Sequence, residues 1–312
     1  MDGAALRPGR AVTGPDGVAD AVLARCVRGE LSPTMALMRL LLASPDLDAL
    51  RGTLDGLDSR AADDPAARAT VARLRSLLEA NRAGGALVVD MLRGEIDPAA
   101  PAASPDEALA RCRGAFDRLV RRSAEASVAL YSLGNPVILA AATAEVVARL
   151  DAWGLLGAGR AVLDIGCGIG RFEPALAPRV AAITGIDVSP AMIETARRRC
   201  AGLPNVRLLE TSGRDLAAFA AQAFDLVLAV DSFPYLYAAG PELVAAHVRE
   251  AARVLRPGGD LVVLNLSYRG DVGADRRDAG RLAAEAGLDV LRSGTREFEL
   301  WDGLTFHLRR RT

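Results

Sequence analysis

Residues 161–170 read Ala161-Val162-Leu163-Asp164-Ile165-Gly166-Cys167-Gly168-Ile169-Gly170. The run Ala161–Leu163 has no polar interruption, as a short buried strand requires, and Asp164 stands at its end. Glycine then falls at every second position, so the backbone can turn sharply and approach a ligand with no Cβ in the way. The next stretch, Arg171 to Ala177, fits the first turns of a helix. Pro174 is tolerated there only in the first turn, where its missing N–H costs little. Strand, glycine loop and helix place a ligand at a helix N-terminus, beyond the carboxyl end of a parallel strand.

The spacing narrows the ligand. A dinucleotide fingerprint is Gly-x-Gly-x-x-Gly. Here the register is Gly-x-Gly-x-Gly, and Arg171 occupies the place of the third dinucleotide glycine. A second apolar run, Ala181–Ile186, ends in Asp187, whose carboxylate suits the hydroxyls of a ribose. The expected ligand bears a nucleoside and seats no pyrophosphate on the loop.

With those residues in place, Asp164-x-Gly166-x-Gly168-x-Gly170 followed by Gly185-Ile186-Asp187-Val188-Ser189 resembles the class I S-adenosylmethionine-dependent methyltransferases. Phe224-Asp225-Leu226-Val227-Leu228 is similar to that family's fourth strand. Arg253 to Gly259 is similar to its turn before strand five. The resemblance runs in order over roughly residues 130–312. It implies an α/β fold, a doubly wound Rossmann-like and mostly parallel sheet of seven strands with the last antiparallel. It implies S-adenosylmethionine as cofactor and in-line transfer of a methyl group to an O, N or C atom of a small-molecule acceptor. That chemistry requires no metal. The resemblance further implies cofactor contacts from Asp164, Gly166, Cys167, Gly168, Gly170, Asp187 and Val188, with Met192 against the adenine face. Cys167 is read as small-residue packing in the loop, not as a nucleophile.

One segment departs from the family pattern. Val206–Leu209 is the third strand, and the family usually follows it with an aspartate that hydrogen-bonds adenine. This chain has Ser212 there. The Ser212 hydroxyl, the Gly213 and Arg214 amides and Asp215 are each candidates for the contact.

The fourth strand, Asp225–Val230, delivers Asp231-Ser232-Phe233-Pro234-Tyr235 to the edge where ligands bind in doubly wound sheets. This is not the Asn/Asp-Pro-Pro-Tyr of amino methyltransferases that act on bases, which counts against a nucleic-acid base as acceptor. Asp231 and Ser232 are candidates for cofactor contact. Asp231 could instead bind substrate or serve as general base for a hydroxyl or amine. Phe233, Tyr235 and Tyr237 can wall an apolar pocket, and a tyrosine face can stabilise a sulfonium. Ahead of the core, Tyr131 is expected to be an exposed aromatic on a lid; by position, the resemblance carries it to the methionine end of the cofactor or to the substrate. Asp231, Tyr235 and Tyr131 are thus the catalytic candidates. After strand five, Leu261–Leu264, the residues Asn265, Tyr268 and Arg269 are candidate substrate contacts. His247 and His307 are expected to be structural. Val290–Gly294 and Thr305–Leu308 read as a closing pair of strands.

Composition excludes several classes. The chain has 312 residues, 38 basic and 39 acidic, for a net charge of −1. That is no electrostatic footprint for nucleic acid. The four cysteines are dispersed, with no Cys-x-x-Cys pair, and point to neither zinc site nor disulfide framework. Free thiols, the absence of a basic n-region with an apolar stretch behind it, and no long apolar run lead to the expectation of a cytoplasmic protein without membrane partners.

The remainder divides into a flexible leader over 1–17, a helical N-terminal domain over 18–96, a proline- and alanine-rich linker over 97–105, and the methyltransferase domain over 106–312. Within the last, lid helices fill 106–153 and the core 160–312. Ser32-Pro33, Asp64-Pro65, Ser104-Pro105 and Ser189-Pro190 each read as an N-cap followed by proline at the first helical position. Val71, Leu74, Leu77 and Leu78 mark one apolar helix face. The helical domain carries no catalytic constellation. It is expected either to form a homodimer or to cover the substrate entrance. Beside an active small-molecule enzyme, two other readings stand: a cofactor-binding module that works by interaction, and a protein or RNA methyltransferase.

Overall fold

The computed structural model describes residues 15–94 and 102–312. The leader up to residue 14 and residues 97–101 of the linker lie outside the described residues. Five helices come first: α1 (Pro15–Val27), α2 (Pro33–Ala43), α3 (Leu47–Arg60), α4 (Pro65–Ala80) and α5 (Arg82–Gly94). Next are α6 (Pro105–Arg122), α7 (Ala124–Val128), a 3₁₀ turn over Leu130–Ser132, and α8 (Pro136–Ala152). The core follows as β1 (Gly157–Ile165), α9 (Glu173–Leu176), β2 (Val180–Asp187), α10 (Pro190–Arg199), β3 (Val206–Glu210), β4 (Phe224–Val230), α11 (Phe233–Ala239), α12 (Pro241–Val254), β5 (Leu255–Leu264), α13 (Val272–Ala286), β6 (Leu288–Arg296) and β7 (Leu304–Arg310).

The cap signals act where the sequence places them. Ser32 Oγ accepts from the Met35 amide at 3.2 Å, and Asp64 accepts from the amides of Ala66 and Ala67 at 2.9 and 3.0 Å. Ser104 and Ser189 do the same for Glu107 and Met192. Each such cap stabilises its helix by roughly 0.5–2 kcal/mol over alanine. α3 begins the same way, with Asp46 accepting from Ala49 at 2.8 Å and Leu50, Leu54 and Leu57 buried on one face. Gly52 and Gly56 dilute its helical signal in the sequence. The helix after the glycine loop is a single turn, with Pro174 in it as the chain chemistry demands.

The seven strands form one sheet in the order β3-β2-β1-β4-β5-β7-β6. β7 runs antiparallel to both β5 and β6, and the pairs from β3 to β5 are parallel. The chain reverses its winding between β1 and β4. Asp164 is level with Gly185 of β2 and Leu228 of β4, so the carboxyl ends of these three strands open on one crevice. β5 begins earlier than its apolar run, because Leu255 pairs with Phe224 before the chain bulges through Pro257–Gly259 to resume at Asp260.

Alternate strand residues build two cores. Leu163, Val227 and Val263 pack with α11, α12 and α13 on one face. Val162, Ile183, Leu226 and Val262 join the other, which continues through Leu150 of α8 into Leu37, Leu57 and Leu74 of the N-terminal helices. That region therefore shares a continuous core with the sheet. Among the described residues no helix is long and apolar enough to cross a membrane.

Candidate functional site

A cavity of about 790 Å³ opens at the carboxyl ends of β1, β2 and β4. That is toward the upper end of the roughly 300–1,000 Å³ usual for small-molecule sites.

One end is built by the glycine loop. Gly166 and Cys167 donate their amides to Ile186 O at 2.8 and 3.0 Å, which straps the loop onto β2. Gly166 and Gly168 line the cavity at φ 76° and 54°. A Cβ at Gly166 would lie 2.5 Å from Ser232 Cβ, and one at Gly168 would lie 2.7 Å from a Val128 methyl, so only glycine leaves this cradle intact. Asp187 sits at the tip of β2, accepting from the amides of Gly168 and Ser189 at 2.9 Å each. Burial pushes its carboxyl up to about 6, against the pull of those amides. Val188, Met192, Thr211, Gly213 and Asp215 continue this end, and Leu109 of α6 packs against the Cα of Gly213. Asp117 of α6 accepts from Ser189 Oγ at 2.6 Å and Ala191 N at 3.2 Å, tying α6 to the start of α10. Glycine cradle, carboxylate and flanking apolar side chains fit a nucleoside cofactor.

The other end centres on Asp231, which follows β4. Its Oδ1 accepts from Asn265 Nδ2 at 2.7 Å and from the Tyr268 hydroxyl at 2.9 Å. Among the described residues no donor reaches Oδ2. Burial raises the Asp231 carboxyl, Asn265 and Tyr268 oppose the rise, and the Asp302 carboxylate nearby adds to it. Asn265 is itself fixed, accepting from Leu304 N at 2.9 Å and donating its own amide to Leu304 O. Aromatic edges surround the group: Tyr235 meets Phe116 at 5.1 Å and Tyr268 at 6.1 Å, both edge-on.

Several residues stand elsewhere than expected. Tyr131 is buried, not exposed: it lines the cavity while its hydroxyl accepts from Arg171 at 3.2 Å. Phe233 does not wall the pocket. It opens α11 facing the second core, fully buried, and the turn of the helix leaves Pro234, Tyr235 and Tyr237 toward the cavity. Asp164, Cys167 and Gly170 lie behind the cavity wall. Asp164 is buried and pushed up to about 7 by burial. Cys167 and Gly170 pack against α10 with Ala196 and Cys200, and burial raises the Cys167 thiol well above its usual value. Ser212 accepts from the Arg214 amide within its own loop, and Arg214 pairs with Asp106, so neither lines the cavity. Arg269 lines it but is held by Asp275 and Asp278. His247 lines the cavity too, with Nδ1 bonded to Leu243 O at 2.9 Å. His307 is a packed strand histidine, bonded to Asp260 at 2.7 Å and stacked on Trp153.

The sequence did not single out Met35, Met38 and Leu42 of α2, Leu109, Cys112 and Phe116 of α6, or Asp302, all of which line the cavity. For the helical residues the available signal was the apolar stripe on each helix, which any packed helix carries, and Asp302 in the β6–β7 connection had none.

Comparison with known proteins agrees with this geometry. A family model described as "Methyltransferase domain" matches residues 162–259. Demethylmenaquinone methyltransferase from Tropheryma whipplei is 40% identical over 111 residues, 36% of this chain and 44% of that protein. Ubiquinone biosynthesis O-methyltransferase from Paracidovorax citrulli is 34% identical over 103 residues, 32% and 41% respectively. The chain thus spans less than half the length of these curated relatives. Phosphoethanolamine N-methyltransferase 1 from Haemonchus contortus, solved with phosphoethanolamine and S-adenosylhomocysteine, superposes with a TM-score of 0.52 at 15% identity, covering 66% of this chain and 49% of that one, a likeness of fold. Residues 162–259 thus match a methyltransferase domain, and the glycine cradle and strand order around them have the form of the class I S-adenosylmethionine-dependent methyltransferases.

Proposed function

We propose that the protein methylates a small-molecule acceptor at a hydroxyl or amine, with Asp231 as the general base. The observation that supports this reading is the asymmetry of Asp231. One oxygen is held by Asn265 and Tyr268, and the other is left toward a cavity shared with the glycine loop.

The chemistry supplied by bound S-adenosylmethionine is an electrophilic methyl carbon on a sulfonium. The chain's own work is then position and proton transfer. The bare Cα atoms of Gly166 and Gly168 would let the cofactor approach closely, and Asp187 would take ribose hydroxyls. Val188, Met192 and Leu109 would hold the base, with Gly213 and Asp215 as candidates for its edge. Tyr235 and Tyr268 would supply aromatic surface able to stabilise a sulfonium. Asp231 Oδ2 takes the acceptor's proton as the new bond forms. α2 of the helical region and α6 of the lid line the cavity, which supports the covering role for the helical region, and they would keep water from competing as acceptor. The acidic lining and neutral net charge disfavour RNA as acceptor.

The test is calorimetric binding of S-adenosylmethionine and S-adenosylhomocysteine to wild type and Asp187→Ala, then an acceptor screen read by S-adenosylhomocysteine release. Micromolar binding lost in the variant, with release on a phenolic or amine acceptor, is the expected result. Binding without release on any acceptor class would favour a cofactor-binding module that acts by interaction.

A further inference from the structure

We propose that the acceptor subsite extends onto the N-terminal helical region. In this view the Met35–Met38–Leu42 stripe of α2 takes the hydrocarbon part of an apolar, uncharged acceptor whose methylated group meets Asp231. The inference rests on the methyltransferase reading of the same cavity and specifies its substrate class.

These three residues fall at i, i+3 and i+7, on one face of α2, and all line the cavity. They lie outside the segment matched by the family model, residues 162–259. The stripe belongs to the Asp231 end. α2 packs on the 3₁₀ turn that carries Tyr131. Its Arg39 pairs with Asp302, and Asp302 is near enough to Asp231 and Tyr268 to raise both. The nucleoside end is built instead by β2, the loop after β3, α6 and α10.

The wall is fixed in place. Ser32 Oγ donates to Leu300 O at 3.1 Å, and Glu145 of α8 accepts from the amides of Glu299 and Leu300 at 2.6 and 3.0 Å. Trp301 is buried in the main core and packs on Phe298 with centroids 5.4 Å apart. α2 and the β6–β7 connection thus form one continuous surface of Met35, Met38, Leu42 and Trp301, with Leu130 beside it.

Chemistry selects the occupant. Two unbranched thioethers and a leucine offer adaptable apolar contact and no strong hydrogen bond for a polar substituent, and the indole adds a broad apolar face with a single N–H donor at its edge. Arg269, the arginine that lines the cavity among the described residues, is neutralised by Asp275 and Asp278. Asp187, Asp215 and Asp231 leave the lining acidic, while Asp302 is paired with Arg39. An acceptor with a phosphate or carboxylate tail finds repulsion there, and an alkyl or prenyl-like substituent finds a matching wall.

The experiment is calorimetry on the protein saturated with S-adenosylhomocysteine, titrated with 4-n-alkylphenols from methyl to octyl and with one ω-carboxyalkyl analogue. In wild type, affinity is expected to rise roughly three- to fourfold per methylene until the wall is covered. The carboxylate analogue is expected to bind at least tenfold more weakly than its neutral counterpart. Met38→Trp fills the stripe and is expected to abolish the rise while S-adenosylhomocysteine affinity stays within twofold; Met38→Leu is expected to keep it. Leu42→Trp repeats the test from the far end of the stripe should Met38→Trp unfold. A flat chain-length series in wild type, or an unchanged slope in both tryptophan variants, overturns the proposal while cofactor binding stands. Failure of wild type to bind S-adenosylhomocysteine overturns the underlying reading together with it.

Discussion

Asn265 donates its side-chain amide to Asp231 Oδ1 at 2.7 Å, and the two residues share a left-handed backbone, φ 66° and 55°, at the ends of adjacent strands. Asn and Asp tolerate that region better than other side chains, yet it still costs of order 1 kcal/mol each. Each strand is pinned to the next at this point, Asp231 N to Leu264 O and Asn265 N to Leu304 O. The strained pair fixes which carboxylate oxygen is held by Asn265 and which is left without a donor among the described residues.

Tyr268→Phe and Asn265→Gly each remove one hydrogen bond that favours the charged form of Asp231. With Asp231 as the proposed base, the ionised carboxylate is the working form, and loss of a donor raises its pKa. The acid limb of the kcat/KM profile is therefore expected to move to higher pH in both variants, with kcat down roughly ten- to a hundredfold. A lowered kcat with an unmoved acid limb would mean that the two residues touch substrate and leave Asp231 unaffected.

Cofactor affinity is expected to fall with acidity. Burial has raised Asp187 to about 6. Below that pH the carboxyl takes up a proton and loses acceptor capacity for ribose hydroxyls and for the Gly168 amide. The dissociation constant of S-adenosylhomocysteine should rise about tenfold per pH unit below 6, and Asp187→Asn should bind weakly with no such slope. Gly166→Ala is expected to bind at least tenfold more weakly at every pH, because its Cβ collides with Ser232. Calorimetry from pH 5 to 8 checks all three, and a pH-independent wild type would exclude Asp187 from the contact.

The glycine loop, the strand ends and the helix starts were legible because each rests on short-range chemistry: a missing Cβ, an apolar run, a Ser-Pro or Asp-Pro cap. What depends on direction or on distant partners was not. Phe233 and Tyr235 differ by two helical positions, and the turn of α11 sends one into the core and the other to the cavity. Tyr131 is buried because Arg171, 40 residues later, meets its hydroxyl. The Met35–Leu42 stripe reads like any bundle helix until the β6–β7 connection is seen beside it.

Asp117 is expected to matter for the cofactor without touching it. Its carboxylate holds Ser189 Oγ and Ala191 N, and so presses Leu109, Cys112 and Phe116 of α6 onto the cavity. Asp117→Ala should destabilise the protein by about 1–3 kcal/mol in urea unfolding and weaken S-adenosylhomocysteine severalfold. Unchanged affinity would show that α6 is held by its apolar face alone.

The buried acids behind the loop predict how stability varies with pH. Glu173 is fully buried, and among the described residues neither carboxyl oxygen has a partner at full hydrogen-bond geometry, with only the nearby Glu173 and Phe172 amides opposing the effect of burial. Burial, then the Asp164 carboxylate, raise it well above its usual value, and Asp164 itself is raised to about 7. A group with a raised native pKa keeps its proton after the unfolded chain has lost it. Its contribution to stability is full below the unfolded value of about 4.3 and is lost as pH rises toward the native value. Each such group costs up to about 1.4 kcal/mol per pH unit over that interval. Wild type without cofactor should therefore lose stability between pH 5 and 7, and Glu173→Gln, which has no proton to lose, should flatten that slope. Urea unfolding of both proteins at half-unit steps is the check. Parallel slopes would mean that Glu173 ionises in the folded state, with water or a shifted neighbour satisfying it, and that Asp164 alone carries the dependence.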